Sequence, residues 1–205
     1  MSTTRIPLFP LEVVLLPESV LPLHIFEPRY REMTRHCIEN SAEFGVVRQR
    51  EHGVVAVGCT AEITQTLKEY EDGRFDLLTI GRRPFRIQSL VEEKSYYEAE
   101  VEFLRDEPAV ASTQRVALLA KFAELHQVLF GQPAPTIQAE EVDSLAYVVG
   151  AELPLELDFK QVLLETRSES ERQRLLLSHM EDWLPIATRQ QHIKKIAGGN
   201  GHGLH

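Results

Sequence analysis

Residues 96–104 read Tyr-Tyr-Glu-Ala-Glu-Val-Glu-Phe-Leu, the stretch in which the local backbone conformation is clearest from the sequence. Apolar side chains alternate here with three glutamates, and a period of two places the two classes on opposite faces of a β-strand. We expect one face to be core and the other to be an acidic stripe. Upstream, the apolar residues mostly keep this period, whereas beyond about residue 108 they recur every 3.6 residues. The sequence therefore predicts an α+β protein with strands first and helices second.

Segments rich in β-branched and aromatic residues, separated by glycines, predict further strands at 44–48, 54–67, 75–80 and 85–90. Gly58 and Gly81 are predicted to mark bulges or close approaches of two backbones. The Asp72-Gly73 pair is typical of a two-residue type I′ hairpin turn, which needs positive φ at both central residues. In that register Tyr70 faces Phe75 beside the turn.

Helical patterns predict one helix among the strands and several after residue 108. Pro28 suits the first position of the inserted helix, which continues to Asn40. In the second half, an apolar stripe at 118, 122, 125 and 129 predicts the first helix, and Pro185 is expected to start the last. Residues 198–205 contain four glycines and no apolar stripe, so we expect a flexible tail.

Composition and charge exclude several classes of protein. Basic residues number 22 and acidic residues 31, and the net charge of −9 disfavours non-specific binding to nucleic acid or to anionic membranes. Two cysteines, Cys37 and Cys59, are too few for a disulfide framework and are expected to be small core residues in a reducing compartment. No segment reaches the roughly 18 apolar residues of a membrane span, and the N-terminus lacks a signal-peptide pattern. A cytoplasmic protein without membrane contact is expected.

Motifs for catalysis and metal binding are missing from the sequence. No Gly-Lys pair occurs, which excludes the usual P-loop, and no Gly-x-Ser-x-Gly, His-Glu-x-x-His or Cys-x-x-Cys motif occurs. The two cysteines also lack the paired spacing of a zinc site. We therefore predict no catalytic residue, no metal and no cofactor.

A basic run, Arg82-Arg-Pro-Phe-Arg86, has the composition of a nucleic-acid contact. The alternative is the start of a strand whose arginines pair with nearby carboxylates. The neighbouring predicted strand, 96–104, carries three glutamates that could pair with the three arginines, so nucleic-acid binding is not the leading interpretation.

Three N-terminal segments carry a family resemblance: Ile6-Pro-Leu-Phe-Pro10, Val14-Leu-Leu-Pro17 and Leu21-Pro-Leu-His-Ile-Phe-Glu-Pro-Arg-Tyr30. Together with segments 57–63, 78–87 and 97–101, in this order, they resemble the N-terminal, substrate-binding domain of Lon proteases. The resemblance extends from residue 5 to about 185. It implies that residues 1–108 form a PUA-like β-barrel with one inserted helix and that residues 109–197 form a helical bundle. Residues 198–205 are the tail.

The resemblance also implies a function, which is the binding half of an ATP-dependent protease. Because these 205 residues contain no counterpart of its ATPase and protease modules, we expect a non-enzymatic module that binds unfolded or partner protein segments. PUA-like folds elsewhere bind RNA or modified bases, so an RNA- or nucleotide-binding protein is the alternative. An unrecognised hydrolase is a third possibility, against which the absent nucleophile arrangement argues. The identity of the partner and the oligomeric state do not follow from the sequence.

Two surfaces are predicted to bind peptide. The first is the start of the inserted helix, where aromatic and charged residues surround free backbone N–H groups. The second is the hairpin tip, where two rings would form an exposed apolar patch. The alternative is internal packing, with the helix-start rings against the helix and the hairpin rings capping the barrel end. The predicted residues are Phe26, Glu27, Arg29, Tyr30, Tyr70 and Phe75.

Overall fold

The computed structural model describes residues 3–107, 114–138 and 142–199, the last six of these without their side chains. The mixture of strands first and helices second agrees with the α+β prediction, and α1 is inserted among the strands. The strands are β1 (Thr4–Leu11), β2 (Val20–Ile25), β3 (Phe44–Arg50), β4 (Gly53–Val54), β5 (Val57–Glu69), β6 (Phe75–Val91) and β7 (Glu98–Phe103). The helices are α1 (Pro28–Asn40), α2 (Arg115–Phe130), α3 (Leu145–Glu152), α4 (Leu157–Glu165) and α5 (Glu169–Gly199).

The chain divides into two compact units, one formed by Met1–Asp106 with Pro154–Arg167, the other by Glu107–Leu153 with Ser168–His205. Helix α4 thus belongs to the first unit, where the Gln161 amide donates to the carbonyl of Val57 at 3.0 Å. The predicted boundary at 108 lies outside the described residues, so the division into 1–108 and 109–197 stays a prediction.

The strands of the first unit form one sheet in the order β1-β7-β6-β5-β3-β4, and β2 pairs with β6. Strand β1 pairs antiparallel with β7 and parallel with β3. Strand β6 is long enough to pair with β2 along its first half and with β7 along its second. A buried cluster joins β1, β3, β6 and β7 through Ile6, Leu8, Val47, Phe85, Ala99 and Val101.

Strand β7 follows the predicted alternation in its centre but departs from it at the start. Ala99 and Val101 are fully buried, as predicted. Glu98, predicted for the acidic stripe, is instead buried and pairs with Lys94 at 3.0 Å. Tyr97 is exposed and Tyr96 is buried. Both residues precede β7, so the alternation of side chains along the strand does not extend to them.

The β5–β6 hairpin exists as predicted, but its turn and register differ from the prediction. Gly73 N–H donates to Tyr70 C=O at 2.8 Å, and Tyr70 N–H donates to Arg74 C=O at 2.9 Å. Within this turn only Gly73 has positive φ, at 82°, which is typical of a three-residue loop with a G1 bulge. Phe75 therefore faces Glu69, not Tyr70. Since adjacent strand residues point to opposite faces, this one-residue shift separates the two rings.

The two predicted glycines do mark close backbone approaches. A Cβ at Gly81 would collide with the carbonyl oxygen of Leu16, and one at Gly58 with that of Val46. Both obstacles are backbone atoms, which cannot rotate away as a side chain can. These positions therefore require glycine for steric reasons.

The second unit contains α2, α3 and α5, with Leu118, Phe122 and Leu125 of the predicted stripe buried. The expectation that Pro185 starts a separate helix is wrong, because α5 runs continuously from Glu169 to Gly199 with Pro185 inside it. Two residues of the predicted tail, 198 and 199, belong to α5. The remainder, 200–205, lies outside the described residues.

Candidate functional site

The start of α1 divides the residues that were predicted to bind peptide there. Phe26, just before the helix, is 60% exposed, whereas Tyr30 is 5% exposed and its ring centroid lies 4.4 Å from that of Phe9. Glu27 and Arg29 form an ion pair at 2.9 Å, and the Arg29 guanidinium lies over the Tyr30 ring. Tyr30 therefore follows the alternative of internal packing, while Phe26 stays at the surface.

The predicted cluster of free backbone donors at this helix start is largely occupied. Glu27 is the residue that precedes the helix, and Pro28 at its first position has no N–H to offer. The N–H groups of Tyr30 and Arg31 both donate to the carbonyl of Glu27, at 3.0 and 2.9 Å. Any recognition by this segment must come mainly from side chains.

The hairpin tip separates its two predicted residues in the same way. Phe75 is 2% exposed, so the expectation of an exposed ring is wrong for this residue. The cause is the register described above, which directs Phe75 into the core and Tyr70 to the other face of the strands. Tyr70 is only partly buried.

The structure brings Phe26 and Tyr70 into one surface through a residue that the sequence analysis missed. His24 stacks on Phe26 with ring centroids 6.0 Å apart and meets Tyr70 edge-on at 6.1 Å. We call Phe26, His24 and Tyr70 the aromatic row. His24 could have been found from the alternation of exposed residues along β2, but its contact with Tyr70 depends on the β2–β6 pairing.

Charged groups fix the Tyr70 end of the aromatic row. Asp76 accepts a hydrogen bond from the Tyr70 hydroxyl at 2.8 Å and lies 2.6 Å from Nδ1 of His24. These contacts, first with His24 and then with Tyr70, hold the pKa of Asp76 below its ordinary value. The same hydrogen bond raises the pKa of the Tyr70 phenol. The Lys68 and Arg74 cations lie over the Tyr70 ring, at 4.3 and 4.7 Å from its centroid.

Arg29 and Tyr30 also border a groove of about 320 Å³ on the first unit. Its rim carries charged side chains, among them Arg50 and Glu92. Two of its apolar residues, Leu90 and Tyr97, are well exposed to solvent. The apolar lining as a whole comes from Leu8, Pro10, Tyr30, Val54, Leu90 and Tyr97. Five of the six predicted residues are thus shared between the aromatic row, this groove and the core, and Glu27 lies at the surface in its ion pair with Arg29.

Two of the three arginines of the basic run, Arg82 and Arg83, pair with carboxylates, as the alternative interpretation predicted. Arg82 bonds Glu62 at 2.6 Å, and this hydrogen bond raises the pKa of the guanidinium. Arg83 bonds Glu43 at 2.9 Å and lies 4.0 Å from the Phe103 ring centroid. Both side chains are engaged within the protein, which reduces the positive charge they present to a nucleic acid.

The cysteines are core residues, as expected. Cys37 and Cys59 are free thiols, both buried, and burial raises the pKa of the Cys37 thiol to about 12. Burial raises the pKa of Cys59 as well. Across the described residues, no group of three or more histidines, cysteines, aspartates or glutamates is arranged to hold a metal ion.

The family assignment follows from comparison with known proteins. The sequence profile described as "ATP-dependent protease La (LON) substrate-binding domain" matches residues 5–182. This chain belongs to that family. The match covers the sheet, the aromatic row and the helices up to the middle of α5, in agreement with the resemblance seen in the sequence.

Relatives and solved structures of the LON substrate-binding family agree with this assignment. The chain is 28% identical to the Lon protease of Anaeromyxobacter dehalogenans and 24% identical to that of Escherichia coli K12. These alignments take in 94% and 93% of the chain but 24% and 26% of the relatives, so the chain spans about a quarter of their length.

The fold also matches solved members of the family. A Lon N-terminal domain protein from Xanthomonas campestris superposes with a TM-score of 0.64 at 28% identity, over 85% of this chain and 98% of that one. The N-terminal domain of a Mycobacterium avium complex Lon protease gives a TM-score of 0.63 at 20% identity, over 87% of this chain and 99% of that one.

None of the helices within the described ranges has the length and apolarity that crossing a membrane requires.

Proposed function

We propose that this chain is a non-enzymatic module that binds unfolded or partner protein segments, with the aromatic row as its contact surface. The observation that carries the proposal is the exposed Phe26 ring, stacked on His24 beside Tyr70 and its two cations. Aromatic side chains are enriched at the centres of protein interfaces, since they bury a large area at little cost in rotamer entropy. Membership of a substrate-binding family supports the same function.

Each of the six predicted residues has a place in this proposal. Phe26 and Tyr70 contact the bound segment directly, together with His24. Glu27 and Arg29, paired at the surface, orient charged groups of the segment that lie beside Phe26. Tyr30 and Phe75 act from below as packed residues that hold the helix start and the hairpin in place.

The finer architecture is part of the same proposal. We infer that the strands of the first unit close into a PUA-like β-barrel, since β1, the first strand of the sheet order, pairs with β7 and also with β3. We infer also that α2, α3 and α5 form a helical bundle. A cytoplasmic location stays a prediction from the sequence.

Binding of unfolded segments by a shallow surface should be weak, on the order of micromolar. The alternative of RNA or nucleotide binding has less support, because Arg82 and Arg83 are paired with glutamates. Fluorescence anisotropy with a labelled single-stranded RNA at physiological salt distinguishes the two functions. Sub-micromolar, sequence-selective binding would favour the alternative.

The direct test compares the binding affinity of a variant of the aromatic row with that of a control variant, in which another exposed aromatic ring beside a histidine is removed. Phe26→Ser/Tyr70→Ser removes two rings of the aromatic row. Phe130→Ser is the matched control, because Phe130 is 47% exposed on α2 and its ring lies 4.6 Å from that of His126. Affinity for reduced, carboxymethylated lactalbumin is measured by biolayer interferometry, and Tm by differential scanning fluorimetry.

We expect the double variant to lose about tenfold or more in affinity, on the scale of one to two lost aromatic contacts. Its Tm should stay close to that of the unsubstituted protein, because neither ring is in the core. Phe130→Ser should bind normally. Unchanged binding by the double variant, or an equal loss in Phe130→Ser, would contradict the proposal.

A further inference from the structure

Strand β2 lies at an edge of the sheet. Its only strand partner in the described ranges is β6, with Val20 opposite Ile80, Pro22 opposite Leu78 and His24 opposite Asp76. The opposite side of β2 has no strand beside it within those ranges. A sheet edge of this kind carries backbone N–H and C=O groups that the ladder leaves unpaired.

The position of Pro22 indicates which groups these are. Residue pairs in an antiparallel ladder alternate between hydrogen-bonded and non-hydrogen-bonded, and a proline within a ladder occupies a position whose N–H would point away from the partner. The hydrogen bond from Gly81 N–H to Ser19 C=O, at 2.9 Å, leads to the same alternation. It shows that the backbone groups of odd-numbered residues point toward β6, so those of even-numbered residues of β2 point away. We call the outward groups the β2 edge: the N–H of Val20 and His24 and the C=O of Val20, Pro22 and His24.

The side chains that share the outward positions of β2, those of Val20, Pro22 and His24, are exposed. Val20 is 56% exposed, and Phe26 follows at the end of the strand. None of the six residues of β2 is Asp, Glu, Lys or Arg, although such residues make up 26% of the chain. Proteins usually protect an edge strand with lysines, inward-pointing charges or proline. Pro22 removes one N–H from the middle of the β2 edge, but its C=O and the N–H and C=O groups of Val20 and His24 remain. An edge strand without acidic residues, lysine or arginine, beside exposed apolar side chains, instead suits an extended segment that is apolar where it lies along β2.

We propose that an extended apolar segment of an unfolded polypeptide adds to the β2 edge as a further strand. This inference rests on the proposed function and specifies how the segment is held. Main-chain hydrogen bonds to Val20, Pro22 and His24 supply affinity that does not depend on sequence. Alternate side chains of the segment then lie beside Val20 and the aromatic row, where they select for apolar residues.

The first test separates the backbone of His24 from its side chain. His24→Ala removes the imidazole and keeps the N–H, whereas His24→Pro removes both without breaking the ladder, since the N–H of residue 24 points away from β6. Binding of reduced, carboxymethylated lactalbumin should fall about tenfold further in His24→Pro than in His24→Ala, as expected for a lost hydrogen bond with a steric clash. Equal affinities of the two variants, both with native Tm, would overturn the inference.

A second test needs no variant and keeps the inference falsifiable if His24→Pro misfolds. A soluble ten-residue peptide of alternating valine and threonine is compared with two derivatives, N-methylated at all odd or at all even positions. In an added strand, the N–H groups of alternate residues point toward the β2 edge and the others point away. With a fixed register, the derivative that keeps the N–H groups facing β2 should bind and the other should not. Equal binding of the two derivatives would overturn strand addition.

The outcomes also separate this inference from the proposed function. Phe26→Ser/Tyr70→Ser could lose binding while the peptides methylated at odd and at even positions bind equally well. In that case the aromatic row binds protein but the β2 edge does not add a strand. If His24→Pro instead converts a dimer into a monomer in sedimentation velocity and leaves peptide binding unchanged, the edge pairs with a second copy of the chain. Either result would overturn the inference.

Discussion

His24 and Asp76 lie opposite each other across the β2–β6 ladder, with Nδ1 of the imidazole 2.6 Å from Oδ1 of the carboxylate. The other carboxylate oxygen accepts the Tyr70 hydroxyl at 2.8 Å. One carboxylate therefore connects β2 to the β5–β6 hairpin and keeps two rings of the aromatic row in a fixed arrangement. The order of that surface depends on an ionised Asp76.

We predict that the contribution of Asp76 to stability disappears in acid. Its folded-state pKa lies below the ordinary value, so its stabilising effect is present above the unfolded pKa of about 4 and is lost as pH falls through the folded pKa. The difference in free energy of unfolding between the unsubstituted protein and Asp76→Asn should therefore shrink below about pH 4. Urea titrations at a series of pH values measure it, with Asp182→Asn on the exposed side of α5 as control. A difference that grows in acid would contradict the assignment.

We predict unequal losses of stability when the two aromatic residues of the hairpin are truncated. Phe75→Ala should lower the free energy of unfolding by about 3–5 kcal/mol, because it leaves a cavity in the core of the first unit. Tyr70→Ala should cost about 1 kcal/mol or less, since its ring is at the surface. Chemical denaturation of both variants in parallel measures the two values. Similar losses would mean that the two rings share one environment, as the type I′ register requires.

Glu169 is predicted to be a principal stabilising residue of the second unit. It pairs with the fully buried Arg172 at 2.9 Å and accepts the Ala146 N–H at the start of α3 at 3.0 Å. Glu169→Ala removes this carboxylate and its hydrogen bonds from the buried guanidinium, which should cost about 3–5 kcal/mol. The control is Glu171→Ala, which breaks an exposed pair with Arg174 of the same spacing and should cost about 1 kcal/mol or less. Denaturant unfolding that finds equal losses would refute the role of burial.

The buried thiol of Cys37 is predicted to reduce stability in alkali. Burial raises its folded-state pKa to about 12, so the thiol ionises first in the unfolded chain. Stability is then unaffected below the unfolded pKa of roughly 8.5 and falls as pH rises from there toward the folded value. In Cys37→Ala the fall in free energy of unfolding between about pH 9 and 11 should be shallower. Native-state alkylation with iodoacetamide, which should proceed only as fast as the chain opens, checks the burial independently.

Several features were predictable because they depend on short stretches of chain. The period of two buries Ala99 and Val101, and the glycines at 58 and 81 mark close backbone approaches. Arg82 pairs with a glutamate, as the alternative interpretation of the basic run predicted, although this residue, Glu62, lies on β5 and not on the glutamate-rich strand β7. The ordered set of N-terminal segments was sufficient to indicate the LON substrate-binding family.

Phe26 and Tyr70 were predicted as binding residues, but their assembly with His24 into the aromatic row was decided by tertiary structure. An Asp-Gly pair is compatible with a two-residue turn and with the three-residue loop found here, and the difference of one residue determines which ring is buried. Likewise, Tyr30 is covered because Phe9 packs on it, and His24 joins the surface because Asp76, 52 positions away, lies opposite it. Periodicity in a sequence reports which side of a strand or helix is apolar. The register between strands, and therefore which side chains share a surface, is set by packing between residues far apart in the chain.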